Sequence, residues 1–117
     1  MKSNDFYCMH SDMCKTLANE KRQMIIDTLR DREMTVTQLI EATGISQANL
    51  SQHLAILRAK GVVKTRRDGT HVFYAIANPK ILAAFDLISE AMAEFLASQN
   101  QTVDQAVGRK QTPIEKE

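Results

Sequence analysis

Apolar residues recur at helical spacing in the first part of the chain. Residues Asn4 to Leu17 carry an apolar stripe of this kind, and residues Glu20 to Arg30 carry another. Asn19 lies between the two stretches, where its side chain can cap the second helix. The spacing therefore predicts two helices near the beginning of the chain.

Two shorter helices joined by a tight turn are predicted next. Thr35 and Gln38 have the spacing of a capping box, which satisfies the free amides at the start of a helix. Gly44 suits the left-handed end of that helix, and Ser46 can cap the helix that follows. This fourth helix has an apolar stripe at i, i+4 and i+7, formed by Leu50, Leu54 and Leu57.

The pattern then changes to alternation over residues Val62 to Arg67 and Thr70 to Ala77. Asp68-Gly69 separates the two runs. Asp-Gly between alternating runs predicts a β-hairpin with a type I′ turn, in which both turn residues have positive φ. Hydrogen-bond donors cluster at the predicted tip: Arg66, Arg67, Thr70 and His71.

A long final helix is predicted to begin at Asn78-Pro79, with proline at the favoured first position. Its apolar residues between Ile81 and Leu96 cover about half of the helical wheel, more than contact with a small core requires. We therefore expect this helix to pack also against a second copy of the chain. Residues 1–98 are predicted to form the domain, and the polar residues 99–117 a flexible tail.

The outward face of the fourth helix suits insertion into the major groove of DNA. Glutamine and asparagine can pair with adenine through two hydrogen bonds, and small side chains allow close approach. His53, at the border of the leucine stripe, would either donate to a phosphate or hold the turn. The hairpin would lie along a phosphate backbone or reach a minor groove. Alternatively, it would remain a solvated hairpin with a charged edge. The predicted DNA-contacting residues are Ser46, Gln47, Ala48, Asn49, Ser51, Gln52, His53, Lys64, Arg66, Arg67, Thr70 and His71.

The run GISQANLSQHLAILRAKGVVKTRRDGTHVFYAI resembles the helix-turn-helix and wing of the ArsR-type (arsenic-repressor-like) transcriptional regulators. With the upstream LANEKRQMIIDTL, similar to the second helix of that family, the resemblance covers Ser11 to Leu96. It implies a mainly α winged helix-turn-helix of order α-α-α-α-β-β-α that dimerises through its first and last helices. It further implies a homodimeric repressor on near-palindromic operator DNA, released by a metal ion or another chemical signal.

Charge is distributed unevenly, although the net charge of the 117 residues is only +1. Residues 46–77 carry a net +4 and residues 79–98 a net −2, so positive charge gathers where DNA contact is predicted. No apolar run approaches the ~20 residues of a membrane span, and no signal-peptide core is present. Together with two cysteines that form no secreted disulfide framework, these features predict a cytoplasmic protein without a membrane partner.

Cys8, His10 and Cys14 cluster in the first helix and are predicted to sense the signal. The signal would be an oxidant, a reactive sulfur species, or a thiophilic metal or metalloid ion. No cofactor is otherwise expected. In a regular helix the two cysteines are ~9 Å apart along the axis and ~120° apart around it, which excludes a disulfide within the helix. His10 and Cys14 share a face and could be two ligands of a site completed by a partner chain. The alternative, without a signalling role, is one packed cysteine and one exposed cysteine that is not used.

The usual ligand patterns of metal-sensing ArsR-type members are missing. TVTQLIEATG contains no Cys or His where many members carry Cys-x-Cys, and the last helix has Asp86, Glu90 and Glu94 but no histidine. No catalytic triad or phosphate-binding glycine loop can be placed in a common cleft, so an enzyme is not expected. Two alternatives to a signal-released repressor are open: a regulator without a small-molecule site, and a winged-helix module that binds proteins.

Overall fold

The computed structural model describes residues 3–107, with side chains as far as Gln99. The described elements are α1 (Asn4–Leu17), α2 (Glu20–Thr28), α3 (Val36–Thr43), α4 (Gln47–Ala59), β1 (Val63–Asp68), β2 (His71–Ile76) and α5 (Pro79–Val107). The predicted order of four helices, a two-stranded hairpin and a final helix is confirmed. None of these helices is both long and apolar enough to cross a membrane.

The chain divides into two compact units, the first ending at Leu82 and the second beginning at Ala83. The first contains every element from α1 to β2 and the first turn of α5. The second contains the rest of α5, which passes the predicted domain boundary at Ser98 and continues as helix to Val107. Of the predicted flexible tail, residues 108–117 lie outside the described residues.

Three helices begin at the capping residues that the sequence predicts. The side-chain oxygen of Asn19 accepts a hydrogen bond from the Arg22 N–H at 3.0 Å, at the start of α2. Thr35 and Gln38 form the capping box of α3, with reciprocal hydrogen bonds of 3.2 and 2.9 Å. At the start of α4 the Ser46 hydroxyl accepts from the Asn49 N–H at 3.3 Å. The boundaries of the helix-turn-helix are therefore set by local side-chain to backbone hydrogen bonds.

The core of the first unit lies between α2, α3, α4 and the start of β1. The predicted leucine stripe of α4 is at most 1% exposed, and Met13 and Leu17 of α1 pack against the same cluster. Because this stripe holds α4 by one side, the opposite side of the helix is turned to solvent. The buried cluster consists of Ile25, Ile26, Leu29, Leu39, Ile45, Leu50, Leu54, Leu57, Val62 and Val63.

The end of α2 differs from the prediction, which extended this helix to Arg30. The helix ends at Thr28, Leu29 is its C-cap, and the Arg30 N–H bonds to the carbonyl of Asp27. Asp31 then has a left-handed φ of 55°, which no continuing right-handed helix accommodates.

The hairpin turn lies one residue later than predicted. Asp68 pairs with His71 in the antiparallel ladder, so the two-residue loop is Gly69-Thr70 and not Asp68-Gly69. Of these residues only Gly69 has positive φ, at 64°. A type I′ turn, which needs positive φ at both central positions, is therefore excluded, and glycine at the first position is the arrangement of a type II′ turn. The shift extends β1 to Asp68, one residue beyond its predicted end at Arg67.

Gly44 provides a direct test of the turn between α3 and α4. It has a φ of 74°, and a Cβ built on it would meet no atom within 4 Å. Any cost of a side chain is therefore conformational. We expect Gly44→Ala to lower the free energy of unfolding by about 1–2 kcal/mol, and Gly44→Asn to lower it by less, because asparagine tolerates the left-handed region. Urea denaturation measures both, and an alanine variant as stable as the wild type would contradict this account of the turn.

Candidate nucleic-acid interface

The exposed side of α4 presents the small and amide side chains that the sequence indicates. Gln47, Ala48, Asn49, Ser51 and Gln52 are all exposed. Ser46 is also exposed, although its hydroxyl is engaged as the cap of α4. The buried leucines thus orient one continuous polar surface outward, at the position where a groove-binding helix needs it.

The predicted donors of the hairpin tip are exposed, but the register places them on different faces. Arg66 lies opposite Phe73, while Arg67 lies opposite Val72 on the other face of the ribbon. Thr70 is in the loop, and His71 begins β2. Arg66, Arg67, Thr70 and His71 are all exposed, as is Lys64 nearer the core.

Arg66 is paired within the chain. Its Nε donates to Glu33 Oε2 at 3.1 Å and its Nη2 donates to Oε1 of the same carboxylate, a fork-like pairing of guanidinium and carboxylate. Its Cζ also lies 4.6 Å from the centre of the Phe73 ring. The hydrogen bond from Arg66 lowers the pKa of Glu33 below its ordinary value. Arg66 therefore links the hairpin to the connector that precedes α3.

The same connector is joined to the hairpin by backbone hydrogen bonds. The Tyr74 N–H donates to the Met34 carbonyl at 2.8 Å, and the Met34 N–H donates to the Tyr74 carbonyl at 3.0 Å. Met34 thus pairs with β2 as a single residue of a third strand. Together with the Glu33–Arg66 pair, this pairing fixes the hairpin relative to the first helix of the helix-turn-helix.

His53 is half-buried and contacts α2. Its Nδ1 lies 3.3 Å from Nη1 of Arg22. Burial, followed by the positive charges of Arg22 and Lys21, lowers the pKa of the imidazole. This contact joins α4 to α2, and it tests neither of the two predicted roles, donation to a phosphate or holding the turn.

Two of the five cations in residues 46–77 are neutralised by carboxylates from elsewhere in the chain. Lys60 forms an ion pair with Asp12 of α1, and this hydrogen bond lowers the pKa of Asp12. Counting Asp12 and Glu33 with the segment lowers its net charge from +4 to +2. Within residues 3–107, no ion pair engages the three remaining cations, which are exposed: Arg58, Lys64 and Arg67.

Both cysteines are free and exposed, so the alternative prediction that one of them is packed is wrong. They lie on α1, which is an unbroken helix from Asn4 to Leu17. Because α1 is helical throughout, the spacing of Cys8 and Cys14 excludes a disulfide between them within this helix. The Cys14 Sγ lies 3.6 Å from Nδ1 of His10. In the part of the chain that the structure describes, no group of three or more His, Cys, Asp or Glu side chains could hold a metal ion. A metal site that uses His10 and Cys14 therefore needs ligands from outside the residues that the structure describes.

The partners of the predicted site residues were not found by sequence reasoning. Glu33 pairs with Arg66, Asp12 with Lys60, and Arg22 with His53, across 33, 48 and 31 residues respectively. No periodicity or motif connects positions so far apart. Only the packing of α1, α2 and the connector against α4 and the hairpin brings them together.

Known proteins with the same arrangement are regulators of transcription. Residues 19–65 match the profile of the family described as bacterial regulatory protein, arsR family. An uncharacterized HTH-type transcriptional regulator of Mycobacterium tuberculosis is 35% identical over 85% of this chain and 88% of its own length. The biofilm growth-associated repressor of Xylella fastidiosa strain 9a5c is 35% identical over 78% of this chain and 77% of its own.

Solved structures agree with this similarity. The crystal structure of the M. tuberculosis regulator superposes with a TM-score of 0.77 at 35% identity, over 83% of this chain and 98% of that one. The solution structure of a homodimeric winged helix-turn-helix DNA-binding domain from Mycobacterium bovis gives a TM-score of 0.74 at 30% identity, over 83% and 93% of the two chains. The winged helix-turn-helix predicted from the sequence is thereby confirmed.

Proposed function

The chain belongs to the ArsR family of bacterial regulatory proteins, and we propose that it is a homodimeric repressor in which two copies of α4 read one near-palindromic operator. The observation that carries the proposal is the exposed face of small and amide side chains on α4, held outward by a buried leucine stripe. One similar protein is named as a repressor and another as a homodimeric DNA-binding domain. Acting on DNA, the protein would work in the cytoplasm.

The proposed contacts divide into those with bases and those with the backbone. Gln47, Ala48, Ser51 and Gln52 would face base edges in the major groove, because they are exposed along one helix. Ser46 and Asn49, at the N-terminal end of α4, would lie near phosphates, together with His53. The hairpin would follow the backbone through Arg67, Thr70 and His71, with Lys64 adding to the positive field.

The second copy of the chain is proposed to pack on α5. Leu87, Ile88, Met92 and Phe95 are 57–64% exposed, an unusual state for large apolar side chains at helical spacing. Burying them between two subunits removes this surface from water. We propose that α1 also contributes to dimerisation, because Tyr7 and Met9 are exposed, at 49% and 73%.

Duplex binding at several salt concentrations distinguishes this function from that of a protein-interaction module. A regulator that neutralises phosphates with Arg58, Lys64 and Arg67 loses affinity steeply as salt rises, with a log–log slope of about −0.9 per phosphate contacted. Fluorescence anisotropy with a labelled duplex measures this slope. Absence of duplex binding at low salt would favour the protein-interaction module.

The Glu33–Arg66 pair allows a sharp test of how the hairpin is held. If the pair fixes the hairpin, Glu33→Gln should weaken binding to all duplexes by about two- to fivefold, the scale of an exposed charge pair, with the salt slope unchanged. Glu41→Gln, an exposed carboxylate of α3, is the matched control for the change in charge. If Arg66 instead contacts a phosphate, Glu33→Gln releases the guanidinium from its carboxylate partner. The variant should then bind duplexes more tightly, with a salt slope steeper by about one.

The signal is proposed to act at Cys14 and His10, with Cys8 on another side of the same helix. Both thiols are exposed, and the imidazole lies next to the Cys14 sulfur. A thiophilic metal or metalloid ion would bind Cys14 and His10 with ligands from the partner subunit, whereas an oxidant or reactive sulfur species would modify the thiol. No cofactor is otherwise needed for DNA binding.

Release from operator DNA tests this assignment. We expect a thiophilic ion or a sulfur-directed oxidant to lower the operator affinity of the wild type at least tenfold, and Cys14→Ser to abolish the response, because the thiolate is the reactive and ligating form. Anisotropy with and without arsenite, hydrogen peroxide or a persulfide donor provides the measurement. Release that persists after both cysteines are changed to serine would place the signal site elsewhere. A wild type that none of these agents releases would support a regulator without a small-molecule site.

A further inference from the structure

Arg22 of α2 reaches the C-terminal end of α1. Its Nε donates to the carbonyl of Thr16, and its Nη2 donates to the carbonyl of Lys15 at 3.4 Å. Carbonyls in the last turn of a helix have no partner within the helix, and the helix dipole makes this end negative. Thr16 is only 5% exposed. The guanidinium therefore supplies a partner to the carbonyl of Thr16. It adds a second, more exposed donor to the carbonyl of Lys15, which already accepts from the Ala18 N–H at 3.2 Å.

The same guanidinium contacts α4 through His53. Its Nη1 lies 3.3 Å from Nδ1 of the imidazole. Since a guanidinium can only donate, Nδ1 must accept, and the ring is then neutral with its proton on Nε2. Burial and the charges of Arg22 and Lys21 act in the same direction, because they lower the pKa of His53. Arg22 thus determines which nitrogen of His53 can donate to another molecule.

An ion pair also joins α1 to the C-terminal end of α4. Lys60, the C-cap of α4, pairs with Asp12 of α1. Asp12 lies one turn before Thr16, whose hydroxyl donates to the Asp12 carbonyl at 3.0 Å. The last turns of α1 are therefore connected to α4 at two separate points, His53 and Lys60.

We propose that Arg22 is a positioning residue for operator recognition, which holds α4 against the C-terminal end of α1 and fixes the tautomer of His53. This inference rests on the proposed function, because it concerns how α4 is presented to DNA. It also supplies a physical connection from the thiols to the DNA, since Cys14 directly precedes Lys15. Displacement of this turn of α1 would remove the acceptors of Arg22 and release α4 from its position.

Three variants separate positioning from simple charge. Arg22→Gln removes the charge and the forked geometry, and Arg22→Lys keeps the charge only. Lys21→Gln removes a neighbouring exposed charge that also acts on His53 but makes no such contacts. We expect Arg22→Gln and Arg22→Lys to lower the ratio of operator to scrambled-duplex affinity about tenfold, with affinity for the scrambled duplex and the salt slope unchanged. Lys21→Gln should leave the ratio unchanged.

The ¹⁵N shifts of the His53 ring provide a readout that needs no DNA. The wild type should show the neutral Nε2–H form, and Arg22→Gln should populate both tautomers. His53→Phe removes both the contact with Arg22 and the donor proposed to lie near a phosphate. It should therefore lower the affinity ratio as Arg22→Gln does and also weaken binding to both duplexes, and the ratio should fall little further in the double variant. The proposal would be overturned if the Arg22 variants kept the wild-type ratio of operator to scrambled-duplex affinity. It would also be overturned if the ¹⁵N shifts of His53 were the same in Arg22→Gln as in the wild type. Equal losses on both duplexes with a slope reduced by about one would make Arg22 a phosphate contact. A wild type without operator preference would overturn the proposed function, while the His53 shifts would still test the tautomer.

Discussion

Replacing Ile88 or Met92 by glutamate is expected to produce a monomer whose operator affinity is about 10²- to 10⁴-fold lower than that of the wild type. The two side chains are 64% and 57% exposed and lie one turn apart on α5. A glutamate there would have to be desolvated between two subunits without a partner, which opposes association. Since neither side chain belongs to the buried core of the first unit, the winged helix should stay folded.

The large loss in affinity has a simple origin. When two copies of α4 are joined in a dimer, binding of the first raises the effective concentration of the second at its half-site. A monomer forfeits this gain although each recognition helix is unchanged. Nonspecific binding of a single winged helix should therefore fall much less than operator binding.

Glu90→Lys is the control for these variants. Glu90 is exposed and lies about 160° around α5 from Ile88, so a change in its charge should leave the dimer intact. Sedimentation velocity reports the oligomeric state, and fluorescence anisotropy reports operator affinity. A glutamate variant that remains dimeric would remove this face of α5 from the interface. A monomeric variant with wild-type operator affinity would remove the need for two copies.

The second large effect is expected at Gln52. We expect Gln52→Ala to cost about 1–3 kcal/mol on the operator and to relax the preference at one base pair, with little effect on scrambled DNA. Gln52 is exposed on α4 and has no role in capping or in the core, so the variant should be as stable as the wild type. Equal losses on operator and scrambled duplexes would exclude a role for Gln52 in base recognition.

Arg67→Ala provides the contrasting case for Gln52→Ala. Arg67 is exposed, and no ion pair engages it within residues 3–107. Its loss should weaken binding to all duplexes similarly and reduce the salt slope by about one, because a phosphate contact carries no sequence information. The two variants, measured on the same pair of duplexes, separate base recognition from backbone binding. A loss confined to the operator in Arg67→Ala would contradict the assignment of this residue to the backbone.

The helix-turn-helix was predictable because its boundaries depend on neighbouring residues. Thr35 with Gln38, and Ser46 with the amide of Asn49, satisfy helix ends within three residues. The leucine stripe of α4 then determines which side faces solvent. Such signals are contained in a short window of sequence, and they hold whatever packs around them.

The turn of the hairpin shows where a local signal is insufficient. Asp68-Gly69 has the composition of a type I′ turn, yet the ladder pairs Asp68 with His71 and places Gly69-Thr70 in the loop. Moving a two-residue loop by one residue shifts the pairing of the strands by two residues, which leaves the same side chains on each face. Val63 pairs with Ile76, whereas the predicted loop would pair it with Tyr74 on the same face. The alternation of apolar and polar residues therefore cannot distinguish the two registers.

The electrostatics of the site also depend on tertiary contacts. Sequence counting assigns Lys60 and Arg66 to a basic DNA-binding segment, whereas in the folded chain Asp12 and Glu33 neutralise both. The cations left for DNA are therefore fewer, and Arg67 gains importance over Arg66. A charge count over a segment overestimates the positive field wherever carboxylates from distant elements fold onto it.

Selection of bound duplexes from a randomised library is the most direct test of a dimer that reads DNA with two copies of α4. We expect an enriched, near-palindromic motif with half-sites about one helical turn, or a multiple of it, apart. We further expect Gln52→Ala to select a motif relaxed at one symmetric pair of positions. Enrichment of a single asymmetric half-site would contradict the dimeric arrangement, and no enrichment above the starting library would contradict sequence-specific recognition by α4.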